Sequence, residues 1–360
     1  MKEKDKNKKT LAIITDSPLL QTSYSTVGQQ IVDALHEEYD IDWFGFQYIG
    51  MPMHFNEFTI YSAYDEPNVR RGIEGKHYDH VIYIRNSWVF SAQKVFNPLP
   101  MFRKLSKDII VYSPVEEVLL PKRYIADMGK SWDRLVTMTY TGQKALKEQL
   151  HTDAEVLYHA FDMPKRAVGQ SKKLTLNISY SQDTRKNLLY YFILASKNPN
   201  QKFVWHGKST YYILQDIAEL YQIKNMLFTK FSTGSKDDFG FTDKSYLAQL
   251  YGMSDIYVQT SLKEGFDLTV MEALTNGLIT LMPDDPLHRE LFSDYTNALF
   301  VKSNLVYPSS TQLQYLMDLS DLQMKYKQTL LMKKQGFNLK DKFSIETMEK
   351  KLKEILKKGE

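Results

Sequence analysis

From residue 10 onward the chain alternates short, continuously apolar runs with longer amphipathic stretches, and few folds accommodate that alternation. Runs that are apolar on both faces suit strands covered by helices on either side, the arrangement of parallel α/β sheets. In this reading residues 10–17 form a buried strand and 26–39 the first helix. Further strands are expected over 42–48, 80–86, 108–115, 134–139 and 155–159, with a helix over 141–150. The polar stretch 164–173, with Gly169, Gln170 and Ser171, breaks the pattern and reads as a linker. Alternation then resumes with strands over 174–181, 202–206, 226–231, 255–260 and 278–282, and helices over 186–196, 243–253 and 269–276. From 309 to 358 the chain is expected to be helical. A chain of 360 residues is too long for one ordinary domain and suits two. The expected organisation is a basic tail over 1–9, a Rossmann-like doubly wound domain over 10–163, the linker, and a second such domain over 174–340, with 341–360 set apart as a terminal helix.

Several function classes are disfavoured at once. No apolar run approaches the ~18 residues of a membrane-spanning helix. Residues 1–9 are almost all charged, and the apolar segment Leu11 to Ile14 is too short for a signal core, so a cytoplasmic location is expected. With 0 cysteines the chain has no disulfide, no thiolate zinc site and no cysteine nucleophile. A net charge of +3 does not by itself drive nucleic-acid binding, and no nucleic-acid partner is expected. Lysine does concentrate in residues 2–9 and 350–358. Two readings stand: a solvated tail with a polar helix face, or peripheral contact with an anionic membrane at ~1 kcal/mol per basic residue. Asp40 and Asp42 have the spacing of metal-dependent sugar transferases. They precede the expected strand 43–48 and cap its start, so no metal role is assigned to them. No Gly-x-Gly-x-x-Gly follows any strand, which disfavours a dinucleotide-dependent dehydrogenase.

In open parallel sheets ligands bind beyond the carboxyl ends of the strands, where helix amino termini converge. Three loops of the second half carry suitable residues there. The first runs from Ser261 to Ala273: Gly265 permits a tight turn, the helix opens near Leu268, and Gly277 stands where a C-cap glycine is expected. Glu264 lies in the loop and Glu272 about one turn into the helix. Helix-start amides favour a diphosphate, and ionised carboxylates accept hydrogen bonds from sugar hydroxyls. The second loop holds Arg185 and Lys186 at a helix amino terminus, where cations are misplaced for stability alone and an anion completes the site. In the third, Gly207 either lets the backbone approach a nucleotide base or merely makes a turn, and Tyr211 or Phe231 offers a ring for stacking or for the core.

The run Glu264-Gly265-Phe266-Asp267-Leu268 through Glu272-Ala273-Leu274, then Gly277, resembles the signature of the large retaining GT-B glycosyltransferase family four, two glutamates separated by seven residues. The likeness begins at Leu250-Tyr251-Gly252-Met253-Ser254-Asp255 and continues through Pro283, His288, Glu290-Leu291 and Asn297-Ala298-Leu299-Phe300-Val301. The resemblance implies a GT-B fold, with two Rossmann-like domains facing a central cleft and the terminal helix crossing back to the first. It implies a metal-independent transferase that moves sugar from a UDP- or GDP-sugar to a glycan, lipid or protein acceptor with retention of configuration. By resemblance Glu264 holds the donor sugar and Glu272 the ribose. Amides around Gly265, Phe266, Asp267, Leu268 and Thr269 meet the diphosphate, and Lys186 with Arg185 neutralises the leaving group. The arginine usually stands several residues earlier, after a glycine, where this chain has Tyr180 and Ser181. On the acceptor side the glycine-rich loop of the family is reduced to Gly28, preceded by Ser25 and Thr26, which are expected to cap the helix; Arg85 and Glu116 also face that side. His159 resembles the interdomain segment, where its role is structural. A non-catalytic binding or scaffold protein of the same fold is the alternative.

Overall fold

The computed structural model describes residues 8–20, 22–55, 57–86, 96–116, 119–120, 131–163, 174–179, 184–207, 211–230, 244–306 and 313–359. The expected linker 164–173 lies outside them, as do Tyr180 to Asp183, Lys208, Phe231 and most of the basic tail. Two compact units emerge: residues 1–115, 119–160 and 341–360, and residues 116–118 and 161–340.

In the first unit Leu11, Ala12, Ile13 and Ile14 are fully buried, as a strand covered on both faces requires. They belong to β1 (Lys9–Asp16) in an eight-stranded sheet. Its other strands are β2 (Tyr39–Phe46), β3 (Met53–His54), β4 (Phe58–Ser62), β5 (His80–Ile84), β6 (Ile109–Ser113), β7 (Arg134–Thr137) and β8 (Glu155–Val156). The order is β3-β4-β2-β1-β5-β6-β7-β8, with only the β3–β4 pair antiparallel. The helices are α1 (Ser23–Leu35), α2 (Glu66–Ile73), α3 (Leu99–Phe102) and α4 (Tyr140–Leu150).

Helix α1 begins three residues before the expected start. Its cap is Thr22, whose hydroxyl accepts from the Ser25 amide at 3.1 Å, rather than Ser25 or Thr26. Thr26 instead donates its hydroxyl back to the Thr22 carbonyl at 3.2 Å. Gly28 lies inside α1 against Trp43, where a Cβ would collide with the indole, so this glycine serves close helix–sheet packing. Because β2 begins at Tyr39, Asp40 and Asp42 lie within a strand rather than before one. Asp42 is buried and accepts from Lys76 Nζ and the Tyr78 hydroxyl, each at 2.8 Å.

A 3₁₀ turn (Asp341–Phe343) leads into α11 (Ile345–Lys357). Met348, Leu352, Ile355 and Leu356 recur at helical spacing and are buried, and this helix packs on α1 within the same unit. Arg134 binds the Asp108 carboxylate and donates to the Ile355 carbonyl near the end of α11. Asp108 Oδ1 accepts from Arg134 Nε, and Oδ2 is shared between Arg134 and His80, the latter at 2.5 Å.

The second unit has a fully parallel six-stranded sheet of order β11-β10-β9-β12-β13-β14. Its strands are β9 (Leu174–Ile178), β10 (Lys202–Gly207), β11 (Met226–Lys230), β12 (Ser254–Val258), β13 (Ile279–Pro283) and β14 (Ala298–Val301). Around them stand α5 (Leu188–Lys197), α6 (Tyr211–Leu220), α7 (Lys244–Met253), α8 (Leu268–Thr275), α9 (Pro286–Phe292) and α10 (Leu319–Thr329). The order reverses between β9 and β12, the switch point at which such sheets bind ligands. The expectation of unbroken helix after 309 fails. Residues 303–306 pair antiparallel with 314–317 as β15 (Ser303–Val306) and β16 (Gln314–Met317), and α10 stops at Thr329. Among the described residues no helix is long and apolar enough to cross a membrane.

Gly277 ends α8 at φ +81°, with the Leu278 amide reaching the Ala273 carbonyl at 3.0 Å, a Schellman-type closure. A Cβ there would also run into the Gln335 carbonyl oxygen. Gly277→Ala is therefore expected to destabilise the chain by ~2 kcal/mol or more, read as a clear fall in Tm. An unchanged Tm would contradict this reading of the helix end.

Candidate active site

Just beyond the carboxyl end of β12, at that switch point, the chain folds the loop 259–267 against the turn that precedes α5. Two backbone ties hold them together: the Leu262 amide donates to the Arg185 carbonyl at 2.8 Å, and the Thr260 hydroxyl to the Lys186 carbonyl at 2.7 Å. The turn is a short 3₁₀ helix (Thr184–Lys186) that closes on Asn187 at φ 45°. Its result is to aim two cations at one carboxylate. Arg185 Nη1 donates to Glu264 Oε2 at 2.8 Å and Lys186 Nζ to Oε1 at 2.5 Å. Arg185 Nη1 also donates to the Lys263 carbonyl at 3.0 Å.

The Glu264 side chain is only 8% exposed. Burial by itself would raise the pKa of its carboxyl, but the Arg185 and Lys186 charges outweigh burial and bring it down to about 2. The cations at this helix start thus have a resident counter-ion within the chain, so their position alone does not require an external one.

Glu272 lies on α8 under opposite conditions. Burial pushes its carboxyl up to about 7, the Tyr251 hydroxyl opposes this by donating to Oε2 at 2.8 Å, and the charge of Asp267 adds to the rise. The two glutamates of the loop and helix therefore differ in protonation near neutrality: Arg185 and Lys186 contact Glu264 directly, whereas at Glu272 burial outweighs the Tyr251 hydrogen bond and the pull of the Lys244 charge.

Between them α8 opens on Asp267, a non-glycine residue at φ 68°. Its Oδ1 accepts from the Val270 amide at 3.3 Å and the Thr269 hydroxyl at 2.9 Å, and its Oδ2 from Gln259 Nε2 at 2.6 Å. Phe266 is buried. Asp267 and Phe266 therefore shape the loop with their side chains. The backbone amides of Leu268 and Thr269 lie in the first helical turn, where an α-helix offers no internal carbonyl. Gly207 ends β10 where a Cβ would overlap the Ser179 carbonyl oxygen, so the glycine is required for strand packing.

Residues to which the sequence assigned no role surround these groups. Tyr251 supports Glu272, and the Tyr257 hydroxyl donates to Thr269 Oγ1 at 2.8 Å. His288 lies between Asp267 Oδ2 at 3.0 Å and Asp285 Oδ2 at 2.7 Å. Its partner Asp285 is the cap of α9, accepting from the His288 amide at 2.9 Å. That cap was signalled by Asp285 followed by Pro286, an acceptor immediately before a proline at the first helical position.

The residues assigned to the acceptor side divide between the two units. Ser25, Thr26 and Arg85 belong to the first unit, whereas Glu116 clusters with the second, its Oε1 4.0 Å from Arg185 Nη1. Ser25 is buried in α1. Arg85 stands 4.5 Å over the Phe46 ring and 4.0 Å from Asp16 Oδ1, at the carboxyl ends of β1, β2 and β5. His159 is buried between Tyr112 and Met138, and burial lowers its pKa to about 3, the setting of a neutral core histidine.

Known proteins bear on both units. A sucrose-phosphate synthase from Thermosynechococcus elongatus superposes with a TM-score of 0.71 over 98% of this chain and 99% of its own, at 11% identity. HepE from Anabaena, solved with UDP and glucose, gives 0.64 over 97% and 100%, at 12% identity. A glycosyltransferase from Rickettsia africae gives 0.62 over 98% and 99%, also at 12%. No curated protein sequence matches the chain. The fold is thus the GT-B type, two Rossmann-like α/β domains with parallel sheets, and residues 185–330, which hold Arg185, Lys186, Glu264 and Glu272, match the model of the family described as glycosyl transferases group 1.

Proposed function

We propose that this protein is a glycosyltransferase that takes a sugar from a nucleoside-diphosphate sugar, a UDP- or GDP-sugar, and passes it to a glycan, lipid or protein acceptor. The observation that carries the reading is the Arg185–Glu264–Lys186 cluster at the switch point of the second sheet, beside the start of α8 and inside the segment with glycosyl transferases group 1 sequence. In the mechanism we propose, the donor diphosphate enters beside the amides of Leu268 and Thr269, where the helix dipole favours anions. Arg185 and Lys186 then turn from Glu264 to the diphosphate and stabilise the charge that develops on the leaving group. Glu264, released from the cations, accepts hydrogen bonds from the donor-sugar hydroxyls, and Glu272 accepts from the ribose. Side chains and helix amides supply the charge stabilisation, so no metal is invoked, and transfer proceeds with retention. HepE, of the same fold, was solved with UDP and glucose, which supports a uridine donor.

The test is nucleoside-diphosphate release from UDP-, GDP- and ADP-sugars in metal-free buffer, with donor hydrolysis as the readout that needs no known acceptor. One donor is expected to turn over, and Lys186→Ala to slow it by about a hundredfold, the size of losing one preorganised charge donor. Equal rates in parent and variant would contradict the role given to Lys186. One observation favours a second reading, a non-catalytic binding protein: the β1–α1 turn, residues 17–22, contains no glycine through which a ligand could approach the backbone closely.

A further inference from the structure

We infer that His288 is a positioning residue of the donor site: through Asp267 it holds the first turn of α8 in the geometry that presents Glu272 and the helix amides. The inference rests on the donor-site reading above. Three observations carry it.

First, Asp267 occupies the left-handed region at φ 68°, where a side chain is sterically disfavoured and persists only if its surroundings hold it. Second, that hold is a buried network. Asp267 accepts from Val270, Thr269, Gln259 and His288, and the His288 and Asp267 side chains are 1% and 2% exposed. Third, both ring nitrogens of His288 face carboxylates, Asp267 at 3.0 Å and Asp285 at 2.7 Å. A neutral imidazole has one donor nitrogen, so satisfying both carboxylates requires the imidazolium. Burial disfavours that charge, but Asp285 and Asp267 overcome it and push the pKa up to about 10. Among the described residues, the other titratable groups facing this cluster are Tyr315 toward Asp285, and Glu272, Tyr251 and Tyr257 toward Asp267.

Removing the imidazolium would leave Asp267 a buried carboxylate with no cation beside it, in the field of Glu272. A carboxylate so placed takes up a proton or swings out, and either change loosens the cap of α8. His288 thus acts on Glu272 and the loop through Asp267.

The test uses the full chain and two readouts. In ¹⁵N spectra of histidine-labelled protein, the His288 ring is expected to carry both protons through pH 8; a neutral ring at pH 7.5 overturns the inference. In calorimetry with UDP and GDP, His288→Gln is expected to weaken the binding shown by the parent by about tenfold. Asp267→Gly added to it is expected to restore affinity to within about threefold, because glycine tolerates φ 68° and the stranded carboxylate is gone. A purely structural histidine would show no such rescue, and unchanged affinity in His288→Gln also overturns the inference. Should that variant not fold, Asp267→Asn replaces it: His288 is then expected to lose its second proton near neutrality and nucleotide affinity to fall, and retention of both protons counts against the clamp. If the parent binds no nucleotide at all, the donor-site reading fails on its own. The ¹⁵N spectra then judge the clamp: two ring protons at pH 8 support it and a neutral ring overturns it.

Discussion

Glu264→Gln is expected to abolish most sugar transfer, by at least about a hundredfold, while nucleoside-diphosphate binding stays equal or tightens. The two effects separate because Glu264 has two jobs. Its carboxylate occupies Arg185 and Lys186, at 2.8 and 2.5 Å, and in the proposed mechanism a diphosphate displaces it. Glutamine keeps the size but cannot neutralise the cations, which leaves them available to phosphate oxygens. In the proposed transfer step the same carboxylate would accept from the donor-sugar hydroxyls, and an amide offers a weaker acceptor there. Steady-state rates with the active donor, together with calorimetry of its nucleoside diphosphate, check both halves. A variant that loses nucleotide affinity in step with rate would contradict the displacement mechanism. The substitution also has an acid-stability signature. The Glu264 pKa is depressed from the ordinary 4.5 to about 2, so its contribution is fully present above pH 4.5 and is lost as pH falls toward 2. Glu264→Gln should lower Tm at neutral pH and flatten its dependence on pH between 4.5 and 2.

The second large effect concerns pH and Glu272. Its pKa is raised by burial to about 7, so near neutrality the free protein holds a proton there part of the time. Ribose hydroxyls donate to the ionised form, so nucleotide binding is expected to expel that proton. Affinity should fall about tenfold per pH unit below pH 7 and level off above it. Repeating calorimetry at pH 6.5 in buffers of different ionisation enthalpy should reveal about three-quarters of a proton released per nucleotide, the fraction protonated in the free protein. The stability sign is opposite to that of Glu264. A carboxyl with a raised pKa binds more protons folded than unfolded between pH 4.5 and 7, so it costs stability progressively as pH rises through that window. Glu272→Gln is therefore expected to weaken nucleotide binding, remove its pH dependence, and raise Tm at pH 8. Binding that is independent of pH in the parent would contradict the assignment.

The fold was legible in the sequence because its signal is physical at short range. Continuous apolar runs such as Leu11–Ile14 and Val81–Ile84 mark strands covered on both faces, and the helices between them leave little choice of architecture. Boundaries were less legible. The start of α1 depends on which of several adjacent hydroxyl residues caps it, and Thr22, Ser25 and Thr26 offer the same chemistry. The 314–317 strand is short and pairs only with 303–306, so neither periodicity nor length announces it.

At the site, residue types and spacing pointed to Glu264, Glu272, Arg185 and Lys186. The structure brings Arg185, Lys186 and Glu264 into direct contact. What spacing could not show is that the cations rest on Glu264, since that pairing spans 78 and 79 residues of sequence. The Asp267–His288–Asp285 chain was hidden for a related reason: each of its members has an ordinary local explanation, and the buried charge exists only once α8 and α9 pack.

The most direct test of the account is calorimetric titration of the parent chain with UDP, GDP and ADP in metal-free buffer, beside the same titrations of Glu272→Ala. The account predicts micromolar binding of one nucleotide, ~8 kcal/mol of binding free energy, and a loss of at least about tenfold in the variant. A folded parent that binds none of the three, or a variant that binds as well as the parent, would contradict it.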